Sequence, residues 1–292
     1  MEIHYIQDNV SENRVLSVPE LTQEQDTSSV SLFDAENIQI EETETGLKIK
    51  TVAHRGYSTV APENTLPAFY AAAEAGFSTA ECDIEWTKDG VPVILHDEYI
   101  NRTATKANGN PLILPRKCSN MTYESLLKYD FGLKKGKEFK GTKIPTFAEI
   151  LQCCKETGLN FYVELKDSSK FGEEQAKLLT DMVKEAGLED KITWISFNSK
   201  YLKMIADNIP EARLGYLSRS EVTDKTIKTL ESLKTGENEV FLDIKASEMN
   251  SKGDNMLDAA GFAFEAWTID DEDILNKMQS YDCSGITTNT IP

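Results

Sequence analysis

Residues 160–217 read NFYVELKDSSKFGEEQAKLLTDMVKEAGLEDKITWISFNSKYLKMIADNIPEARLGYL. Three short β-rich runs, NFYVELK (160–166), ITWISF (192–197) and RLGYL (213–217), are separated by Glu173–Ala186 and Ser199–Asn208, where apolar residues recur at helical spacing. A strand–helix–strand–helix–strand succession of this kind builds a parallel sheet. Working outward, the same alternation continues to EVFLDI (239–244), AFEAWTI (263–269) and GITT (285–288), and back to TAECDIEW (79–86) and TVAHR (51–55). The intervening helices are expected at Leu66–Ala75, Thr146–Thr157, Ser220–Leu233, Asp254–Ala260 and Asp271–Gln279, several of them opened by a Ser, Thr or Asp N-cap. Eight strands alternating with helices predict an α/β fold of the (β/α)8 TIM-barrel kind.

One run breaks the alternation. VPVILH (91–96) follows the second strand after only Thr87–Gly90, too short a link for a crossover helix, and its Asp-Gly pair marks a hairpin turn. The second strand is therefore expected to continue above the barrel rim, turn and return, bringing His96 to the rim. This opens an inserted excursion, about residues 87–141, whose later part from Asn101 to Gly141 is rich in Gly, Lys and Asn. The barrel domain spans 51–292. Residues 1–50 are a separate acidic extension, with 11 acids against three bases; NIQI, ETETG and LKIK suggest a short β-hairpin near 37–50. With the eighth strand close to Pro292 and no helix after it, that hairpin is expected to cover the gap left where the usual final helix would pack.

The net charge of −18 argues against a nucleic-acid partner, which needs a basic surface, and the same acidity is expected to repel an anionic bilayer surface. No apolar stretch approaches the ~20 residues of a membrane span. The five cysteines form no CxxC pair and are expected as reduced thiols. MEIHYIQDNV at the start lacks the basic and apolar regions of a secretory leader, so the chain as written reads as cytoplasmic.

Chemistry in such a barrel sits at the C-terminal ends of the strands. There the sequence places His54-Arg55 after the first strand, Glu81 and Asp83 on the second, and Glu164 and Lys166 on the third. Alternation puts Glu81 with Asp83, and Glu164 with Lys166, on one face; the expected placement is inside the barrel, the other reading being that one or two of the acids face solvent. Three carboxylates in a region normally filled by Val, Ile and Leu are costly without a cation, and all-oxygen donors suit Mg2+ or Ca2+ rather than zinc. The chain has only three histidines. His4 lies in the extension, whereas His54 and His96 both reach the rim, one a candidate base and one a candidate acid. Arg55 and Lys166 suit a phosphate, or serve to neutralise the neighbouring acids. Asn64 or Thr65 fits an ordinary helix N-cap, Glu63 a support for His54 or Arg55, and Trp267 either a substrate platform or core.

AHRG (53–56), PENT (62–65), ECDIEWTKDGVPVILHD (81–97), NRT (101–103), VELK (163–166), AWTI and GITT, in that order, resemble the glycerophosphodiester phosphodiesterase family. The resemblance implies metal-dependent hydrolysis of glycerophosphodiesters to sn-glycerol 3-phosphate and an alcohol. It implies His54 and His96 as the acid/base pair, Glu81, Asp83 and Glu164 as metal ligands, and Arg55 and Lys166 as phosphate grips. Asn289 departs from it, standing where the family tends to have Asp. Two other readings share these residues: a lysophospholipase D-like or cell-wall polyol-phosphate phosphodiesterase, and a non-catalytic barrel that docks a partner through its acidic arm. The leaving alcohol and the oligomeric state are left open.

Overall fold

The alternation closes on itself in the computed structural model, which describes residues 49–167, 171–236 and 238–290. The chain runs β1 (Lys50–Ala53), α1 (Leu66–Glu74), β2 (Thr79–Trp86), β3 (Pro92–Ile94), β4 (Thr105–Lys106), α2 (Tyr123–Leu126), β5 (Tyr129–Asp130), α3 (Phe147–Thr157) and β6 (Asn160–Leu165). It continues through α4 (Glu173–Ala186), β7 (Ile192–Ser196), α5 (Ser199–Asn208), β8 (Arg213–Ser218), α6 (Asp224–Leu233), β9 (Val240–Lys245), α7 (Ser251–Ala260), β10 (Phe264–Trp267), α8 (Glu272–Gln279) and β11 (Gly285–Thr288). Among the described residues eight strands pair in parallel around a ring, β1, β2, β6, β7, β8, β9, β10, β11 and back to β1. This is the expected (β/α)8 barrel. β3 pairs antiparallel with the end of β2, Ile84 opposite Ile94, which is the return run read from VPVILH.

Local chemistry explains the elements. Thr146 and Glu149 form a reciprocal capping box at the start of α3, and Gly158 ends it in the left-handed region at φ 76°. Phe147, Ile150, Leu151 and Cys154 bury the inner face of that helix, and Ala176, Leu179, Thr180 and Val183 repeat the spacing in α4. They meet the outward residues of the strands, among them Cys82, Ile84, Phe161, Val163 and Leu165, in one cluster. Two helix starts differ from expectation. α6 begins at Asp224 rather than Ser220 because Thr223 and Thr226 cap each other there, and α7 begins at Ser251 because Asn250 caps Gly253. The five cysteines are buried, and none is in a disulfide.

Inside the barrel, the N-terminal end is sealed by ions. Glu265 is 2% exposed and lies 2.9 Å from Lys50 Nζ and 2.8 Å from Arg213 Nη2. Tyr162 Oη is 2.9 Å from both of its carboxylate oxygens. A side chain at Gly285 would come within 2.8 Å of that carboxyl group, so the position has no room for one. Val52, Ile195, Leu217 and Phe241 pack with Tyr162 inside the barrel. The excursion holds the β4–β5 pair and its own apolar cluster, including Val93, Leu95, Ile100, Leu126, Phe131 and Ile144. The hairpin expected near 37–50 lies outside the described residues except for Ile49 and Lys50, and Lys50 belongs to β1. No helix among the described residues is long and apolar enough to cross a membrane.

Candidate active site

At the C-terminal rim a cleft enclosing about 500 Å³, its open mouth included, is lined by His54, Arg55, Glu81, His96, Glu164 and residues of the opposite wall. The turn after β1 builds one side of it. Arg55 and Gly56 both take positive φ, 60° and 77°, and a Cβ on Gly56 would lie 2.7 Å from Ala68. This sharp turn lets the Arg55 backbone N–H donate to Glu81 Oε2 at 2.9 Å. The guanidinium reaches Glu63 Oε1 at 2.9 Å and lies 3.6 Å from Asp83 Oδ2.

Glu81, Asp83 and Glu164 bring their oxygens within 4.8 Å of one another. Burial, then the charges of Asp83 and Glu164, push the Glu81 carboxyl well above the ordinary carboxylate range. Burial likewise raises Glu164 to about 7, against the pull of Lys166. For Asp83 burial is outweighed by Lys166 and Arg55, which hold it far down. Lys166 Nζ sits 2.6 Å from Asp83 Oδ1 and 2.8 Å from Glu164 Oε2 and does not line the cleft. Its geometry is that of a neutralising cation behind the acids. Three converging carboxylates, two buried and Glu164 partly so, one of them strongly disfavouring its charge, fit a hard divalent cation, and no thiol or imidazole takes part in the cluster.

Each rim histidine has its Nδ1 engaged. His54 Nδ1 is 2.7 Å from Asn289 Oδ1, while the Asn289 amide N–H donates to Asp270 Oδ2 at 2.6 Å, which fixes the oxygen toward the ring. His54 therefore donates through Nδ1 and leaves Nε2 without its proton when neutral. His96 Nδ1 lies 2.6 Å from Asp97 Oδ1. Burial lowers both histidines; Arg55 adds to this for His54, and Lys166 and Arg55 do so for His96 against the opposing charge of Asp83.

Glu63 and Asn64 both act on this site. Glu63 accepts from Arg55 and, at 2.5 and 2.7 Å, from Arg102, which also donates to Asp97 at 2.6 Å. Arg102 and Arg55 outweigh burial and hold the Glu63 carboxyl low. Neither candidate N-cap side chain caps α1: Thr65 Oγ1 donates to Pro62 O at 2.5 Å, and Asn64 Nδ2 donates to Asp83 Oδ2 at 2.7 Å.

Across the cleft, Trp267 meets Phe197 edge-on at 5.8 Å and donates through Nε1 to Asp243 O. Arg219 stacks 3.9 Å over Phe197. Asp243 is buried, with Oδ1 unpartnered, and burial followed by Glu265 and Glu164 raises it strongly. Sequence reading missed Phe197, Arg219, Asp243 and Asp270. The signal for the first two was the inward phase of Ile195 and Leu217, carried one step past the strand ends.

A family model described as the glycerophosphoryl diester phosphodiesterase family matches residues 54–292. The chain belongs to that family. As a member it is a phosphodiesterase built on the family's barrel. It is 27% identical over 243 residues to the glycerophosphodiester phosphodiesterase of Caldanaerobacter subterraneus subsp. tengcongensis, covering 83% of this chain and 95% of that protein. To the Bacillus subtilis glycerophosphodiester phosphodiesterase it is 26% identical, covering 83% and 84% of the two chains. An Oleispira antarctica phosphodiesterase, solved in complex with the product sn-glycerol-3-phosphate, superposes with a TM-score of 0.73 at 28% identity, covering 82% of this chain and 92% of that one.

Proposed function

We propose that this phosphodiesterase hydrolyses glycerophosphodiesters to sn-glycerol 3-phosphate and an alcohol, with His54 and His96 moving the protons and a divalent cation held by Glu81, Asp83 and Glu164. The observation that carries the reading is the pair of histidines, each engaged at Nδ1, lining one cleft with Glu81, Glu164 and Arg55. A bound cation supplies positive charge toward the phosphate oxygens.

The chain's own residues do the rest. Arg55, fixed by Glu63, presents a guanidinium to the phosphate, and Lys166 adds charge from behind. One histidine removes the proton of the glycerol hydroxyl next to the ester, whose oxygen then attacks phosphorus. The bond to the leaving alcohol breaks, and the other histidine gives that oxygen its proton. Water opens the resulting cyclic phosphate with the two histidines in exchanged roles. Asp97 and Asn289 hold the rings, and the wall of Phe197, Leu217 and Trp267 receives the organic part of the substrate.

The test is release of sn-glycerol 3-phosphate from glycerophosphocholine, glycerophosphoethanolamine, glycerophosphoinositol and a lysophospholipid, with Mg2+ or Ca2+ and with a chelator. His54→Ala and His96→Ala should each abolish turnover. Full activity in either variant refutes the histidine roles, and full activity in chelator refutes the cation.

A further inference from the structure

The whole-chain charge of −18 conceals a reversal. Residues 101–141 of the excursion carry nine basic residues against three acidic ones, a net of +6, where the rest of the chain sums to −24. This segment stands beside the mouth of the cleft. Arg102 bonds Glu63 and Asp97 next to Arg55 and His96, and Lys135 Nζ donates to Ser58 O and Thr59 O in the turn after β1.

At the tip of the excursion, in Pro111-Leu112-Ile113-Leu114-Pro115, Ile113 is 86% exposed and Leu114 66%, the two most exposed large apolar side chains among the described residues. They are held out rather than left loose. The Asn101 amide donates to Leu112 O at 3.1 Å and Leu114 O at 3.0 Å, and its oxygen accepts from Arg116 N at 2.7 Å. Leu112 packs back onto the excursion's own core, and a proline stands at each end of the loop. Asn101 adjoins Arg102, so the same short stretch fastens the apolar tip and the rim of the catalytic cleft. Lys106 and Arg116 flank the tip, both exposed and neither within ion-pair distance of a carboxylate among the described residues.

We propose that the excursion docks the enzyme on an anionic lipid surface, inserting Ile113 and Leu114 between headgroups while Lys106, Arg116 and the neighbouring lysines meet the lipid charge. Two adjacent aliphatic side chains held in water among bases match such a surface in both respects. The acidic remainder of the barrel is repelled by the same surface, which turns the cleft side toward it.

The full chain is sedimented with vesicles of phosphatidylcholine alone and of phosphatidylcholine mixed with phosphatidylglycerol. Binding is expected only to the mixed vesicles and should weaken as salt is raised. Ile113→Ser/Leu114→Ser and, separately, Lys106→Glu/Arg116→Glu should each weaken it, on the order of fivefold or more per basic residue changed. Both variants should keep the wild-type melting temperature and turnover of water-soluble glycerophosphocholine, which separates this proposal from the hydrolytic one. Absence of binding to mixed vesicles overturns it, as does equal binding by both variants. It is also overturned if the wild type forms a dimer that Ile113→Ser/Leu114→Ser dissolves, since the tip would then be a contact between two copies.

Discussion

Glu164→Gln should make the metal-free enzyme more stable while destroying its metal response. Glu164 is partly buried beside Asp83 and Glu81, its side chain 13% exposed, and its carboxyl stands at about 7 against an ordinary 4.5. The separation of roughly 2.5 pH units is worth about 3 kcal/mol at ~1.36 kcal/mol per unit. Because the folded value is the higher one, this cost is absent below about pH 4, grows as pH rises through the interval, and is complete above about pH 7. Between about pH 5 and about pH 8 it grows by roughly 2.5 kcal/mol. Gln keeps the shape and has no charge to desolvate, and Lys166 keeps its ion pair with Asp83 at 2.6 Å. Urea unfolding of wild type and variant in chelator, at both pH values, isolates the effect. Glu85, raised to about 7, is common to both proteins and cancels in the difference, whereas Glu81, which the Glu164 charge helps to raise, is relieved in the variant and adds to its advantage. The variant's stability advantage should widen by about 2–3 kcal/mol toward high pH. Adding Mg2+ or Ca2+ at about pH 8 should then raise the wild-type melting temperature well above that of the variant. An advantage independent of pH would refute the electrostatic reasoning, and an equal metal response in both proteins would refute the ligand assignment.

Asp97→Asn removes the carboxylate 2.6 Å from His96 Nδ1 and should lower the His96 pKa further, moving one limb of the kcat/KM–pH profile to lower pH; the limb that moves shows whether His96 starts as acid or base. Gly56→Ala places a Cβ 2.7 Å from Ala68 at φ 77° and should cost roughly 2 kcal/mol or more in chemical unfolding, with a loss of kcat from displacing the Arg55 N–H. Glu63→Gln leaves Arg55 and Arg102 without their shared carboxylate and should reduce kcat/KM about 10–100-fold in steady-state assays.

The fold was legible because its signals are local: periods that switch from two to helical spacing, Asp-Gly at the extra turn, and Ser, Thr or Asp at helix starts. The acids were legible because a charge in the inward phase of a barrel strand conflicts with the residues that usually fill it. The opposite wall was less so. Phe197 and Arg219 lie just past their strands, where a single sequence does not say whether an aromatic or an arginine turns inward. Asn64 read as a cap because its neighbours suit one, yet its amide is spent on Asp83 through a contact spanning 19 residues. Asn289 stood out only as a departure from the family, and its grip on His54 closes the barrel between the first and last strands, 235 positions apart.

The two acidic layers of the barrel interior differ in what balances them, and this bears on metal demand. At the closed end Glu265 faces Lys50, Arg213 and Tyr162, so the chain satisfies the charge with its own groups. At the open end Glu81, Asp83 and Glu164 share Arg55 and Lys166, both of which lie against Asp83, while the buried Asp243 is opposed by Arg213 and Lys50 from the closed end. The surplus falls on Glu81, Glu164 and Asp243, the three groups whose carboxyls are raised. Evolution of a stable barrel alone would have removed this surplus, since apolar residues of similar volume stabilise at least as well as buried ions. A layer left short of positive charge at the mouth, in the same interior where the lower layer is balanced, is the arrangement expected of a site whose remaining charge arrives with a cation.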